Sequence, residues 1–289
     1  MVVSDSRITV VVLTYTRLRE VSQTVERLLR LPEHPAIIVV DNGSTDGTSV
    51  LLARRFPTIR VMTLERNIGA AARNVGIRAA QTSYVALCDD DTWWAAGSLR
   101  RAADLLDRHP QVAVLTARVL VGPEGREDPT CRRMEQSPLA PPRNVSGTPV
   151  LGFLAGASMI RRAAFLSVGG FEPRFFLGGE EALVAVDLAT AGWQIVYVRE
   201  VIVHHYPSHH RDARARRRLL LRNALWFTWL RRPLRKAIRQ TARLLRPALG
   251  DPYELWGVFE AVAGLPWIIR RRRCLPAAVE AALLKLGDS

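Results

Sequence analysis

Three adjacent carboxylates, Asp89-Asp90-Asp91, close the apolar run Tyr84-Val85-Ala86-Leu87-Cys88. A strand that ends in acids gathers negative charge at one point, and that charge costs folding energy unless something positive sits beside it. A divalent cation is one such partner, because hard cations prefer carboxylate oxygen. Alternate residues of an extended segment project together, so Asp89 and Asp91 can face one site. A solvated acidic turn would use the same residues, and the surroundings must decide. Trp93 and Trp94 follow directly. Adjacent indoles after such a loop could form a platform for an acceptor ring, although core packing can claim one of them.

The elements that would position these groups alternate. Residues 8–13 read as a buried strand, and residues 18–31 have helical spacing, with Val21, Val25, Leu28 and Leu29 on one side. Strands are expected at 37–40, 59–64, 84–88, 112–121 and 194–203. Helices are expected up to residue 55, with Thr45 or Asp46 as cap, and at 68–80, 97–108 and 179–191. Such alternation implies a mostly parallel sheet flanked by helices, in which ligands bind at the carboxyl ends of strands. The polar strand ends are Thr14-Tyr15, Asp41-Asn42, Glu65-Arg66-Asn67 and Asp89 to Asp91. Residues 122–147, rich in Pro, Gly, Arg and Ser, read as a mobile loop or lid.

Charge divides the chain of 289 residues. Residues 1–210 hold 23 basic and 21 acidic side chains, and residues 211–289 hold 18 and 6. A basic partner surface is therefore expected at the C-terminus. Three scattered cysteines, Cys88, Cys131 and Cys274, show no metal-site spacing and fit a reduced, cytoplasmic compartment. Ser4, Asp5, Ser6 and Arg7 interrupt any early apolar run, so no signal peptide is expected. No stretch reaches the ~20 apolar residues that span a bilayer; the nearest, 255–269, is broken by Glu260.

Several motifs in order resemble family 2 glycosyltransferases, which have the GT-A fold. Val11-Val12-Leu13-Thr14-Tyr15-Thr16-Arg17 looks like the opening strand. Val39-Val40-Asp41-Asn42-Gly43-Ser44-Thr45-Asp46 looks like the second strand with its nucleotide loop. Arg66-Asn67-Ile68-Gly69 and Arg73-Asn74-Val75-Gly76 resemble the third motif, and Asp89-Asp90-Asp91 the Asp-x-Asp signature. The resemblance covers about residues 7–205. It implies an α/β GT-A catalytic domain over 1–210, with a basic amphipathic helical region over 211–289.

The resemblance also implies roles. Thr14, Tyr15, Arg17, Asp41, Asn67, Arg73, Asp89 and Asp90 would line the nucleotide. Asp41 would accept the imide N–H of a uracil or thymine ring, although Asp-Asn-Gly-Ser is turn chemistry as well. Arg73 would pair with phosphate or with the acidic cluster, or make a structural ion pair. Asp89 would serve the ribose side and Asp91 the metal, Mg²⁺ or Mn²⁺, which neutralises charge on the departing diphosphate. Some related enzymes place a third metal ligand where His204-His205 stand. Only one of that pair can face inward, and His204 is the choice; a structural histidine is the competing reading. Glu180-Glu181 occupies the place of the catalytic acid pair, with Glu181 as the general base that takes the acceptor hydroxyl proton. A first-turn acid favoured by the helix dipole is the alternative. The family usually has Asp at the base position, and its later Asp and Arg are replaced here by Leu183 and Asp187. Phe176, in the loop Phe175-Phe176-Leu177-Gly178-Gly179, would shape the acceptor pocket or act in a hinge.

The implied activity is inverting transfer of a sugar from a nucleoside-diphosphate sugar donor to the hydroxyl of a glycan or lipid-linked acceptor, in cell-surface glycan assembly. His204 and Arg222-Asn223 are similar to rhamnosyl- and galactofuranosyl-type members. Arg211, Arg214, Arg216 to Arg218 and Arg222 alternate with Leu219 to Leu221, Leu225, Trp226, Phe227 and Trp229. A basic helix of this kind can lie on an anionic membrane surface, or pack on the core with Arg outward. His209 and His210 are expected to be exposed. Nucleic acid is not the expected partner, because no recognised module accompanies the charge. Two rivals remain. A sugar nucleotidyltransferase would usually carry a Gly-rich N-terminal loop, which is absent after Leu13. A non-catalytic scaffold at the membrane is kept open by Leu183 and Asp187.

Overall fold

A computed structural model describes residues 5–140, 145–207, 213–248 and 250–287. His209, His210 and Arg211 lie outside the described residues. The N-terminal half alternates as the sequence predicts, with one unexpected short strand, β5: β1 (Ile8–Thr14), α1 (Leu18–Leu29), β2 (Ala36–Asp41), α2 (Thr48–Arg55), β3 (Arg60–Thr63), α3 (Arg73–Ala79), β4 (Tyr84–Asp89), β5 (Thr92–Trp94), α4 (Ser98–Arg108) and β6 (Val112–Val121). The expected helix at 68–80 divides into a 3-10 turn, Gly69–Ala72, and α3. The N-cap of α2 is Gly47 rather than Thr45 or Asp46; Asp46 stands one residue earlier and accepts from the Thr48 amide at 3.1 Å.

The middle of the chain is β7 (Arg126–Glu127), α5 (Pro129–Glu135), β8 (Thr148–Pro149), β9 (Ser158–Arg161), α6 (Arg162–Ser167), α7 (Glu180–Thr190) and β10 (Gln194–His205). The segment expected to be a loop after β6 thus carries a short hairpin and a helix. Asp128 caps α5 by accepting from the Thr130 amide, with Pro129 at the first helical position.

The sheet runs β3-β2-β1-β4-β9-β6-β10-β5, with β7 beside β6 and β8 beside β10. β3, β2, β1 and β4 are parallel, and so are β6 and β10. β9 enters antiparallel between β4 and β6, and β5 pairs antiparallel with the end of β10. Val10, Val11 and Val12 are fully buried in β1, the pattern of a central strand covered on both faces. The strand ends predicted to converge do so: Thr14 pairs with Asp41, and Leu13 with Asp89.

Among the described residues, five helices follow β10: α8 (Ala213–Arg231), α9 (Leu234–Ala248), α10 (Pro252–Ala263), α11 (Leu265–Arg271) and α12 (Ala277–Lys285). The Leu and Trp face of α8 points inward. Leu221, Leu225, Trp226 and Leu230 share an apolar cluster with Phe175 and Leu183, and with Ala261 and Ile268 of α10 and α11. The α8 aromatics are therefore occupied by packing and do not form a membrane-facing stripe. Among the described residues, no helix is long and apolar enough to cross a membrane.

Candidate active site

Each polar strand end carries a defined side chain. Asp41 is fully buried. One oxygen accepts from the Ser44 amide at 2.9 Å; the other, Oδ2, has no partner. A buried carboxylate oxygen left unpaired is a costly exception and implies a donor that arrives from outside. Asn42 ties the neighbouring loop together. Its amide donates to Asn67 Oδ1 at 2.9 Å and to the Gly69 carbonyl at 3.1 Å, and its Oδ1 accepts from the Ile68 amide. Asn67 also accepts from the Gly69 amide at 2.8 Å, so its oxygen is spent on the loop.

The three aspartates diverge. Asp89 binds the guanidinium of buried Arg73. Asp90 accepts from Thr14 Oγ1 at 3.2 Å and from Arg17 at 3.0 Å. Burial pushes the Asp90 carboxyl up to about 7, against the pull of Arg17. Asp91 lies 3.4 Å from the same Arg17 nitrogen and 3.5 Å from His205 Nε2. The loop that carries them is fixed by Thr92, whose hydroxyl accepts from the Asp89 amide at 2.8 Å and donates to the Gly156 carbonyl at 3.0 Å. Gly156 leaves room for the cluster: a Cβ there would stand 2.5 Å from Asp89 Oδ2.

Strand register settles which histidine faces the acids. In the β5–β10 pair, His205 stands opposite Thr92 and His204 opposite Trp93. Thr92 and His205 are on the face of the aspartate loop. His205 Nε2 is buried and makes no hydrogen bond of good geometry. His204 is turned away and stacks on Trp93, centroids 5.4 Å apart, and burial, aided by the charge of Arg27, lowers its proton affinity. The expectation that His204 is the inward imidazole is corrected to His205. The paired-indole platform is not formed either. Trp94 is 0% exposed and donates to the Leu87 carbonyl at 3.3 Å. Trp93 lies under the Arg27 guanidinium, 3.7 Å from its ring centroid, and against Tyr206.

Glu180 and Glu181 begin α7, Glu180 buried with Oε2 unpartnered and Glu181 half-buried. Burial raises the proton affinity of both, and the charge of Glu180 raises that of Glu181 further. Arg73 pulls both down, and Asp89 pushes both up. The acid pair and the Arg73–Asp89 pair therefore share one electrostatic neighbourhood. The loop ahead of α7 is knitted to the segment after β3 by its backbone. The Ala70 amide donates to the Phe176 carbonyl at 2.6 Å, and a Cβ on Gly69 would sit 2.0 Å from that oxygen. Phe176 adopts φ 61°, so it contributes a strained backbone carbonyl as well as a ring.

A model of glycosyl transferase family 2 matches residues 9–169. The chain belongs to this family. N-acetylglucosaminyl-diphospho-decaprenol L-rhamnosyltransferase of Mycobacterium tuberculosis (strain ATCC 25618 / H37Rv) is 30% identical over 235 residues, which cover 69% of this chain and 76% of that protein. Among solved structures, mannosyltransferase PcManGT from Pyrobaculum calidifontis with GDP-Man and Mn²⁺ superposes with a TM-score of 0.59 at 18% identity, over 97% of this chain and 86% of that one. GalNAc-T7 with UDP, GalNAc and Mn²⁺ gives 0.61 at 15% identity over 85% of this chain, which spans about half of that longer protein (51%). The fold is GT-A, and the protein is a glycosyltransferase.

Two departures of this glycosyltransferase from the family pattern have structural employment. Leu183 is buried in the cluster with Trp226, and Asp187 takes a two-pronged bond from Arg231, at 2.6 and 2.8 Å. Both fasten α7 to the C-terminal helices. Asn223 does the same for the loop before Glu180. It is 1% exposed, and its amide lies within hydrogen-bonding distance of the carbonyls of Phe175, Leu177 and Gly178, at 2.7, 3.1 and 2.6 Å. Arg222 adds contacts to the Arg174 and Phe175 carbonyls. Thr92 and Gly156 have no role in the sequence reading, which names Asn42 only within a motif and takes His204 rather than His205 of the pair. Hydroxyls, amides and glycines that hold a loop carry no local signature. Tyr15 stands exposed at the end of β1.

Proposed function

We propose that this glycosyltransferase moves one sugar, with inversion, from a nucleoside-diphosphate sugar to a hydroxyl of a glycan or lipid-linked acceptor, in cell-surface glycan assembly at a membrane face. The observation that carries the reading is the Glu180–Glu181 pair at the start of α7, whose preceding loop is bonded to the segment after β3 and whose proton affinities, raised by burial, feel the Arg73–Asp89 pair. A general base must be unprotonated before attack and then take the hydroxyl proton as the new bond forms, and burial makes the Glu181 carboxylate a stronger proton acceptor. Glu181 takes the proton of the acceptor hydroxyl. The freed oxygen bonds to the anomeric carbon from the side opposite the diphosphate, and the carbon–oxygen bond to the diphosphate breaks.

The unpaired oxygen of Asp41 suits the imide N–H of a uracil or thymine ring. Arg17 bonds Asp90 and Arg73 bonds Asp89, and guanidinium groups beside the acids would meet the phosphate charge of a donor. Among the described residues, no three His, Cys, Asp or Glu side chains form a closed metal cluster. Asp91 and His205 nevertheless supply one carboxylate and one unbonded buried imidazole nitrogen side by side. That donor set fits Mn²⁺ or Mg²⁺ completed by diphosphate oxygens. When bound, the cation would offset the charge of the leaving diphosphate. In the relative's name, the decaprenol-linked substrate supports a lipid-linked acceptor here and the L-rhamnosyl group supports a deoxyhexosyl donor.

The test is transfer from a panel of nucleotide sugars with Mn²⁺ or Mg²⁺, comparing the wild type with Glu181→Gln. The substituted protein should bind nucleotide and lose turnover. Released nucleoside diphosphate is expected; released pyrophosphate would point to a nucleotidyltransferase and sink the proposal.

A further inference from the structure

α10 is inverted relative to an ordinary surface helix. Its exposed positions are Pro252, Tyr253, Trp256, Phe259, Val262 and Ala263, without a charge among them. Trp256 is 57% exposed and Phe259 68%. Its acids face inward instead and are neutralised by α8: Asp251 and Glu254 lie 3.8 and 3.9 Å from Arg217, and Glu260 lies 3.7 Å from both Arg218 and Arg222. α11 continues the apolar row with Leu265 and with Ile269, which is 74% exposed. Exposed single apolar residues are ordinary, but a row of large ones on one helix face marks an interaction site.

The surroundings of the row select the partner. α9 lies against both α8 and α10. Its sequence holds Arg235, Lys236, Arg239, Arg243 and Arg246 and no acid. Leu234 and Ile238 stand exposed between those cations. Arg270 and Arg271 close α11 at the other end, both exposed. Aromatic and aliphatic residues rimmed by arginine suit the boundary between lipid headgroups and acyl chains. The positive rim suits anionic headgroups. α10 has 12 residues, too few to span a bilayer, which takes ~20.

We propose that the α9–α10–α11 edge docks this glycosyltransferase onto an anionic lipid bilayer, with Tyr253, Trp256, Phe259 and Ile269 entering the interface and the arginines of α9 and α11 meeting the headgroups. The physiological purpose rests on the reading of a membrane-borne acceptor, while the surface itself is independent of the reaction. α8 then joins the docked edge to the catalytic loop, since it carries both Trp226, bonded to the Ala261 carbonyl at 3.1 Å, and Asn223.

The experiment is flotation of the full chain with phosphatidylcholine vesicles, with and without phosphatidylglycerol. Trp256→Ser/Phe259→Ser is one variant and Arg235→Gln/Arg239→Gln the other. Wild type should float with anionic vesicles and be released by high salt. The aromatic pair should lower partitioning by about tenfold or more, and the arginine pair should lower it on anionic vesicles alone. Both variants should keep nucleotide binding, a readout that also shows they fold and that tests the catalytic reading separately. Two results overturn the proposal: wild type staying with the pellet at every composition, or a concentration-dependent dimer without lipid that Trp256→Ser/Phe259→Ser abolishes, which would make the edge a contact between copies.

Discussion

At the carboxyl end of the sheet, five acids, Asp89, Asp90, Asp91, Glu180 and Glu181, gather around two bonded guanidinium groups, Arg17 and Arg73. In the C-terminal helices the balance is reversed. Every described acid there, Asp251, Glu254, Glu260 and Glu280, has an arginine or lysine within ion-pair distance, and surplus arginines face solvent. A buried ion pair that satisfies both members is compatible with a quiet structural role. A cluster with excess charge of one sign is a reservoir, and the native state carries its cost as raised carboxyl proton affinities. The contrast teaches that the strand-end cluster holds more negative charge than its own arginines offset, whereas the helical end is internally neutralised and turns its unused charge outward.

The sharpest way to break this comparison is Glu181→Gln. Loss of a general base should lower kcat by about a hundred- to ten-thousandfold. The same change should stabilise the free protein. Because burial raises the folded-state pKa of Glu181 above its unfolded value, its contribution to stability is full below the unfolded pKa and is lost as pH rises through the folded one. The difference in Tm between variant and wild type should thus be near zero in acid and grow in the variant's favour toward neutral and alkaline pH. The activity of wild type should fall on the acid side, with a limb above the ordinary carboxylate range. A variant less stable than wild type at pH 8 would mean that the glutamate is structurally satisfied, like the acids of α10.

His205 and His204 offer the comparison within two adjacent residues. His205→Ala should weaken activation by Mn²⁺ by about ten- to a hundredfold. His204→Ala should leave it unchanged and cost about 0.5–1.5 kcal/mol of stability through the lost stack on Trp93. Equal metal dependence in both variants would remove His205 from the site. Asn223→Ala comes next. It leaves the carbonyls of Phe175, Leu177 and Gly178 without their shared donor, and should cost about 1–3 kcal/mol in urea unfolding. If the helices position the base, kcat falls while nucleotide affinity holds; if they are merely attached, both hold.

Much of the catalytic end was legible in the chain because strand periodicity and turn residues are local signals. Val10 to Leu13, Ile37 to Val40 and Tyr84 to Cys88 are short apolar runs that end in polar residues, and parallel pairing brings those ends together. His205 was missed because Val201, Ile202 and Val203 are all apolar, so the run has no inside–outside alternation to read. The ladder also jumps from Val198 to Ile202 against adjacent residues of β6, and such a bulge resets the face of everything after it. The antiparallel insertion of β9 depends on long-range pairing with β4 and β6 and leaves no local trace. In α8 arginine alternates with leucine and tryptophan, and only the partners on α10 and α11 decide which face is inside. The exposed row on α10 was hidden for the converse reason: Leu255 to Ile269 reads as a core or near-spanning stretch until the packing shows which residues the core does not use.

The smallest expected effect tests where the two regions meet. Asp187 accepts both prongs of Arg231, which also contacts the carbonyls of Leu230 and Arg271 at 3.2 and 3.4 Å. Asp187→Asn keeps an acceptor and removes the charge, and Arg231 is left with carbonyl partners rather than bare. The loss should be about 1 kcal/mol or less, as for partly exposed pairs, or a fall in Tm of about 2–4 °C. High salt should narrow the gap between variant and wild type, since screening acts on the charge that the variant lacks. Turnover should not change, because the pair lies at the far end of α7 from Glu181. A large fall in kcat with a small fall in Tm would show that α7 must be held at both ends for its acids to work, and would make the helical region part of the catalytic apparatus.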